Sequence, residues 1–119
     1  MHDVALLEVT QDVRAGAVVV SVLGEIDSNT VGSLQPRLDR AVEAAGEQSA
    51  KVLIVELSRV TYFGSAGLNA LLECYEKGSA AGVSVRVVAA NPEVVRPIEI
   101  TKLDKVLRPY GTVADAVGG

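Results

Sequence analysis

A chain of 119 residues, 49% of them hydrophobic, can bury one substantial core and is too short for two, so a single domain spanning residues 1–119 is expected. Eleven Lys and Arg against fifteen Asp and Glu give a net charge of -4, spread without a basic cluster, which argues against a nucleic-acid partner. The longest apolar stretch, Ala15 to Leu23, is broken by Gly16 and Ser21 and falls far short of the ~20 residues of a membrane-spanning helix. Met1-His2-Asp3 lacks the basic-then-apolar layout of a signal peptide, so a cytoplasmic protein without a membrane role is expected.

Two strands are predicted first, Leu6 to Asp12 and Ala17 to Leu23, joined by the short turn Arg14-Ala15-Gly16 and therefore antiparallel. Ser28-Asn29-Thr30 then supplies helix-capping residue types, and Val31, Leu34, Leu38, Ala41 and Val42 recur at helical spacing up to Gly46. Pro36 falls inside this helix and should kink it or delay its start to a cap at Ser33. Lys51 to Leu57 (KVLIVEL) is a β-branched apolar run of the kind that forms a central strand covered on both faces.

Leu68, Leu71, Leu72 and Tyr75 predict a second helix from Ser65 to about Lys77, with Gly78 and Gly82 marking its exit. Cys74, the single cysteine, lies in that pattern and reads as a small buried apolar residue. Val83 to Val88 is a further strand. Asn91-Pro92-Glu93 opens a third helix reaching to about Lys102, distorted by Pro97. The tail from Val106 to Val117 contains a short extended piece and a last small helix capped by Thr112. Each later strand needs a helical crossover to reach the next, so parallel pairing is expected there. The fold class is α/β, a mixed, mostly parallel sheet of four to five strands with about four helices.

Enzymatic sites are hard to assemble from these residues. The only histidine, His2, sits at the terminus, which removes the usual Ser-His pair. One His and one Cys do not make a zinc or iron site, and the glycines form neither nucleotide-binding signature. Glu73 and Glu76 are at helical spacing and read as a solvated face. No catalytic residue, metal ligand or cofactor is therefore predicted.

What remains is Ser58-Arg59-Val60-Thr61-Tyr62-Phe63-Gly64-Ser65-Ala66-Gly67-Leu68, between the central strand and the second helix. Loops at the carboxyl ends of parallel strands are where α/β sheets meet their ligands, and the loop Asp27 to Thr30 should open at the same edge. Phe63-Gly64-Ser65-Ala66-Gly67-Leu68 resembles the signature of the anti-sigma factor antagonists, the STAS-domain family, in which a hydrophobic pair precedes Asp-Ser-(Ser/Thr/Ala)-Gly-Leu and an apolar helix. Gly24-Glu25-Ile26-Asp27 and Ile100-Thr101-Lys102-Leu103 are similar to that family's second-strand exit and third-helix ending, so the resemblance covers roughly residues 6 to 116.

The resemblance implies a partner switch. The unphosphorylated protein would bind an anti-sigma factor that is also an ATP-dependent serine kinase, freeing a sigma factor, and phosphorylation would end the binding. A serine phosphatase is a further implied partner. By position Ser65 matches the phosphoacceptor, Asp27 the acidic loop residue and Gly67-Leu68 the turn into the helix, while Gly64 stands where the family has Asp.

Ser65 is also the expected N-cap of the second helix, where free N–H groups and the helix dipole favour added negative charge. With the apolar stripe turned inward, Ala66, Asn69, Ala70 and Glu73 should face outward and, with Asp27, Ser28, Asn29, Gly64 and Ser65, form the docking surface. On that reading Ala70→Arg should abolish docking at little cost in stability. Two other functions remain open: a scaffold or ligand-sensing module of the same fold that works without phosphorylation, and a small enzyme with an unrecognised site.

Overall fold

The computed structural model describes residues 7–119; the expected strand start at Leu6, and His2, lie outside the described residues. Strands β1 (Leu7–Arg14) and β2 (Ala17–Ile26) form the antiparallel hairpin. Its two turn residues, Ala15 and Gly16, have φ of 51° and 82°, the left-handed pair that a two-residue hairpin matched to strand twist requires. Helix α1 (Val31–Gly46) crosses over to β3 (Val52–Phe63), α2 (Ser65–Ala80) crosses to β4 (Ser84–Val88), and α3 (Pro92–Ile100), α4 (Asp104–Leu107) and α5 (Val113–Gly118) follow. The sheet order is β1-β2-β3-β4, with β2/β3 and β3/β4 parallel. The expected extended piece in the tail is a single bridge between Val88 and Tyr110, so among the described residues the sheet has four strands.

Side-chain alternation divides the core. Val18, Val20 and Val22 of β2 and Leu53, Val55 and Leu57 of β3 pack on one face with Leu34 and Leu38 of α1, Leu71 and Cys74 of α2, and Val94 and Ile98 of α3. Ala17, Val19, Val52 and Ile54 pack on the other face against Ala116 of α5 and Tyr110. KVLIVEL is therefore covered on both faces as its composition predicts. Arg86 ties α5 in place by donating to the Ala116 carbonyl at 2.8 Å, and Thr112 caps α5 by accepting from the Asp115 N–H at 3.1 Å.

Three helix boundaries differ from expectation, and β1 and β2 run on to Arg14 and Ile26, past the expected Asp12 and Leu23. Helix α1 starts at Val31, so Pro36 is accommodated within it and does not delay the start to Ser33; the ring lacks the N–H that would reach the Gly32 carbonyl. Helix α2 runs past Lys77 to Ala80, with Gly78 buried inside it rather than ending it. A Cβ at Gly78 would run into the Val85 side chain and lie 3.2 Å from the Val83 carbonyl, so this glycine serves close packing of helix on strand, and the chain turns instead at Gly82, φ 75°. Helix α3 stops at Ile100, where Lys102 takes φ 62° and the Leu103 N–H reaches back to the Ile98 carbonyl at 2.9 Å.

Ala15 is exposed and its positive φ carries a Cβ penalty that asparagine tolerates better. Ala15→Asn should raise the unfolding free energy by roughly 0.5–1 kcal/mol, read as a higher urea midpoint at unchanged slope.

Candidate functional site

The site is built by the ends of β2 and β3. Ile26 and Phe63 are register partners, and the Gly64 N–H donates to the Ile26 carbonyl at 3.1 Å. That bond sets the loop carrying Asp27 beside the residue that precedes Ser65. Asp27 organises its own loop: Oδ1 accepts from the N–H groups of Asn29 at 2.8 Å and Thr30 at 3.1 Å. The buried Thr30 hydroxyl donates to the Glu25 carbonyl at 2.7 Å and accepts from the Asp27 N–H. Ser28 and Asn29 are left exposed at the tip.

Sequence reasoning put β3's end at Leu57; the strand continues to Phe63. Leu57, Val60 and Phe63 are all buried, a spacing of three that a regular strand cannot produce. The β2/β3 register accounts for it. It shifts between Ser21 and Leu23 and again between Gly24 and Glu25, and each time β3 carries one extra residue. Two bulges thus keep successive apolar side chains on the helix-covered face. Of the hydroxyls in this stretch, Ser58 donates to the Glu56 carboxylate and Thr61 reaches the Gly24 carbonyl at 3.4 Å.

Ser65 is exposed and is the first residue of α2, whereas the sequence led us to expect it as N-cap. The cap position belongs to Gly64, which has no side chain to offer, so the start of α2 has no side-chain cap. Gly64 has φ -88° and ψ -173°, extended backbone open to any residue, so it is not needed for a special turn. Its missing Cβ instead leaves room for the Tyr62 ring, whose Cε2 would lie 3.1 Å from that atom. Tyr62 is 53% exposed, while Phe63 is buried. Gly67 is required by contact: a Cβ there would lie 2.8 Å from Ile26 Cγ2 and 3.0 Å from the Phe63 ring. Helix α2 can begin this close to both strand ends only because residue 67 is glycine.

Along α2 the buried stripe is Gly67, Leu68, Ala70, Leu71, Cys74 and Gly78, with Leu72 and Tyr75 only partly buried. The outward reading holds for Asn69 and Glu73, both exposed, and Ala66 is half-buried. It does not hold for Ala70, which is 4% exposed and part of the core. Because 3.6 residues complete a turn, position 70, three after Gly67 and four before Cys74, shares their inward face. Glu73 pairs with Lys77 at 2.8 Å, and Lys77 also meets Asp39 of α1 at 3.0 Å. The hydrogen bond to Glu73, then that to Asp39, raises the lysine pKa above its ordinary value. Glu73 therefore belongs to the α1–α2 seam as well as to the outer face. Burial first, and the Asp39 carboxylate second, push the Cys74 thiol up to about 12, so it stays protonated and unreactive at neutral pH.

An apolar groove of about 330 Å³ adjoins Ser65, lined by Phe63, Gly64, Ser65, Leu68, Pro97, Ile100 and Thr101. Ile100, on its rim, is 77% exposed. The groove went unread in the sequence because its walls come from two helices about thirty residues apart. Among the described residues no group of three or more His, Cys, Asp or Glu converges as metal ligands would. No helix among them is long and apolar enough to cross a membrane.

The described residues thus form a mixed four-stranded sheet with an exposed serine at the first turn of its second helix. Residues 7–116 match the family model of the STAS domain, and the chain belongs to that family. It is 38% identical over 109 residues to the anti-sigma-F factor antagonist RsfB of Mycobacterium tuberculosis, covering 87% of this chain and 81% of the relative. The crystal structure of an anti-sigma factor antagonist from Mycobacterium paratuberculosis superposes with a TM-score of 0.84 at 36% identity, covering 94% of this chain and 92% of the other. The unphosphorylated form of the anti-sigma factor antagonist SpoIIAA has the same fold, with a TM-score of 0.72 at 17% identity over 92% of this chain and 93% of the other.

The burial of Ala70 reverses the expected effect of changing it. Ala70→Arg should destabilise the fold by about 3 kcal/mol or more, since an unpaired guanidinium would be forced into the core. Urea unfolding of the variant, with any docking defect appearing only alongside it, is the check.

Proposed function

We propose that this chain is a cytoplasmic anti-sigma factor antagonist that acts by binding and not by catalysis. With Ser65 unmodified it holds an anti-sigma factor of the serine-kinase type, which releases a sigma factor; phosphorylation of Ser65 ends the complex, and a serine phosphatase restores it. The observation that carries this reading is the position of Ser65, exposed at an uncapped helix start beside the Asp27 loop.

The chemistry follows from that position. A phosphate on Ser65 adds about -1.5 to -2 charge and three acceptor oxygens. The first-turn N–H groups and the helix dipole meet that charge favourably, by about 0.3–1 kcal/mol. A partner seated over Ser65 instead has to accept new bulk and a desolvated charge, at a cost of several kcal/mol. At about 1.4 kcal/mol per decade this lowers affinity by a hundredfold or more. The proposed docking face comprises Asp27, Ser28, Asn29, Gly64, Ser65, Ala66, Asn69 and Glu73. Tyr62 and the groove rimmed by Ile100 add apolar area to it.

Affinity capture from native extract of the host cell, with wild type and Ser65→Glu as baits, tests the switch by mass spectrometry. Wild type should retain a kinase-type anti-sigma factor, Ser65→Glu should lose it, and a phosphate should map to Ser65. If both baits retain the same proteins and Ser65 is never modified, a phosphorylation-independent binding module takes the place of the switch. The Tyr62 ring against Gly64, where the family signature carries Asp, is the feature that favours this second reading. Ile100→Glu should weaken retention of the same anti-sigma factor by roughly tenfold. Because Ile100 is exposed, the unfolding midpoint should stay unchanged.

A further inference from the structure

Strand β3 outruns its neighbour. Its pairing with β4 covers Val52 to Glu56 and stops there, although β3 continues for seven residues, Leu57 to Phe63, before the loop that carries Ser65. On that unpaired side the bulged backbone has carbonyl groups to satisfy, in a stretch where the side chains of Leu57 and Val60 are buried. Asn91 meets the need. Its Nδ2 donates to the Leu57 carbonyl at 3.1 Å and to the Val60 carbonyl at 2.8 Å. Leu57 belongs to the first bulge, where it and Ser58 stand opposite Val22, and Val60 is the last paired residue before the second.

The side chain has been diverted to do this. Asn91 is the N-cap residue of α3, with the extended backbone of a cap (φ -73°, ψ 134°), yet its side chain makes no capping bond. Its Oδ1 is buried without a hydrogen-bond partner among the described residues. An asparagine that both forgoes the cap and leaves its acceptor unpaired is held by what its amide donors do. An aspartate would cap α3 as well but has no donor to give β3.

We propose that Asn91 is the positioning residue of the Ser65 loop: by clamping one carbonyl in the first bulge and one at the edge of the second it fixes how far β3 advances, and so where Gly64 and Ser65 stand relative to Asp27. The inference rests on the reading that this loop docks the anti-sigma factor. It assigns Asn91 no contact with that partner.

Amide hydrogen exchange on the free protein tests the clamp directly. In Asn91→Asp and Asn91→Ala the amides from Ser58 to Ala66 should exchange about tenfold faster or more, while those of Leu53 to Val55 keep their wild-type protection. The anti-sigma factor retained by wild type in the capture experiment should bind both variants roughly five- to tenfold more weakly. Val42→Ala, a core truncation in α1, is the control for general destabilisation and should speed exchange without this local pattern or the affinity loss. If the Asn91 variants exchange like the control, or show no local change, the clamp is refuted. Selective loosening with unchanged affinity, in a protein whose Ser65→Glu variant still loses its partner, also overturns it. If Ser65→Glu binds unchanged as well, the docking assignment has failed and the inference falls with it.

Discussion

Parallel pairing of β2 with β3 is the constraint on which the rest of this molecule is arranged. Two parallel strands cannot be joined by a tight turn, so the chain must leave β2, cross the sheet as α1 and return to enter β3 in the same direction. The same requirement between β3 and β4 produces α2. Because both crossovers advance the same way along the sheet and share one hand, both helices fall on the same face, as the joint core of α1, α2 and the alternate residues of β2 and β3 shows. The pairing also brings the carboxyl ends of β2 and β3 together at Ile26 and Phe63. The Asp27 loop and the Ser65 loop are neighbours for that reason, with no direct bond between the two side chains needed to bring them together.

Close approach at that edge depends on small residues and on irregular backbone. Gly67 lets α2 start against Ile26 and Phe63, and the two bulges in β3 keep Leu57, Val60 and Phe63 facing the helices. A strand of strict alternation would turn either Val60 or Phe63 to solvent and swing Ser65 with it. Irregularity here has a function in packing: it allows an exposed serine to follow directly after a buried phenylalanine with only Gly64 between them.

Much of this could be read from patterns local to one segment. The hairpin, the central strand and the helical stripes of Leu34, Leu38 and Ala41 and of Leu68 and Leu71 follow from periodicity within a few residues of each other. Ser65 stood out as a candidate because its motif is contiguous. What escaped was set by partners distant in sequence. The bulged half of β3 looked like a loop because Ser58, Arg59, Thr61 and Tyr62 break the alternation, and only the pairing with β2 rescues it. Gly78 looked like a helix terminator until Val83 and Val85 were found against it. Ala70 looked outward because an alanine's polarity does not declare its side, and Ser65 was taken for the cap because serine is the better capping residue of the pair. Asn91 showed its capping backbone in sequence, but not the β3 carbonyls to which its amide turns.

The position of Ser65 one residue inside α2 separates stability from binding. A serine at the N-cap would spend its oxygen on the helix, and modifying it would remove a cap worth about 0.5–2 kcal/mol. At the first helical residue, with glycine as the cap, there is no such bond to lose, and a phosphate would meet N–H groups that no side chain occupies. A phosphate on Ser65 would therefore act on the surface alone. A few kcal/mol delivered to an interface changes occupancy by orders of magnitude, whereas the same amount taken from a marginally stable fold would unfold a measurable fraction of the protein. The proposed switch would turn docking off while the sheet, the core and the second loop at Asp27 stay as they are.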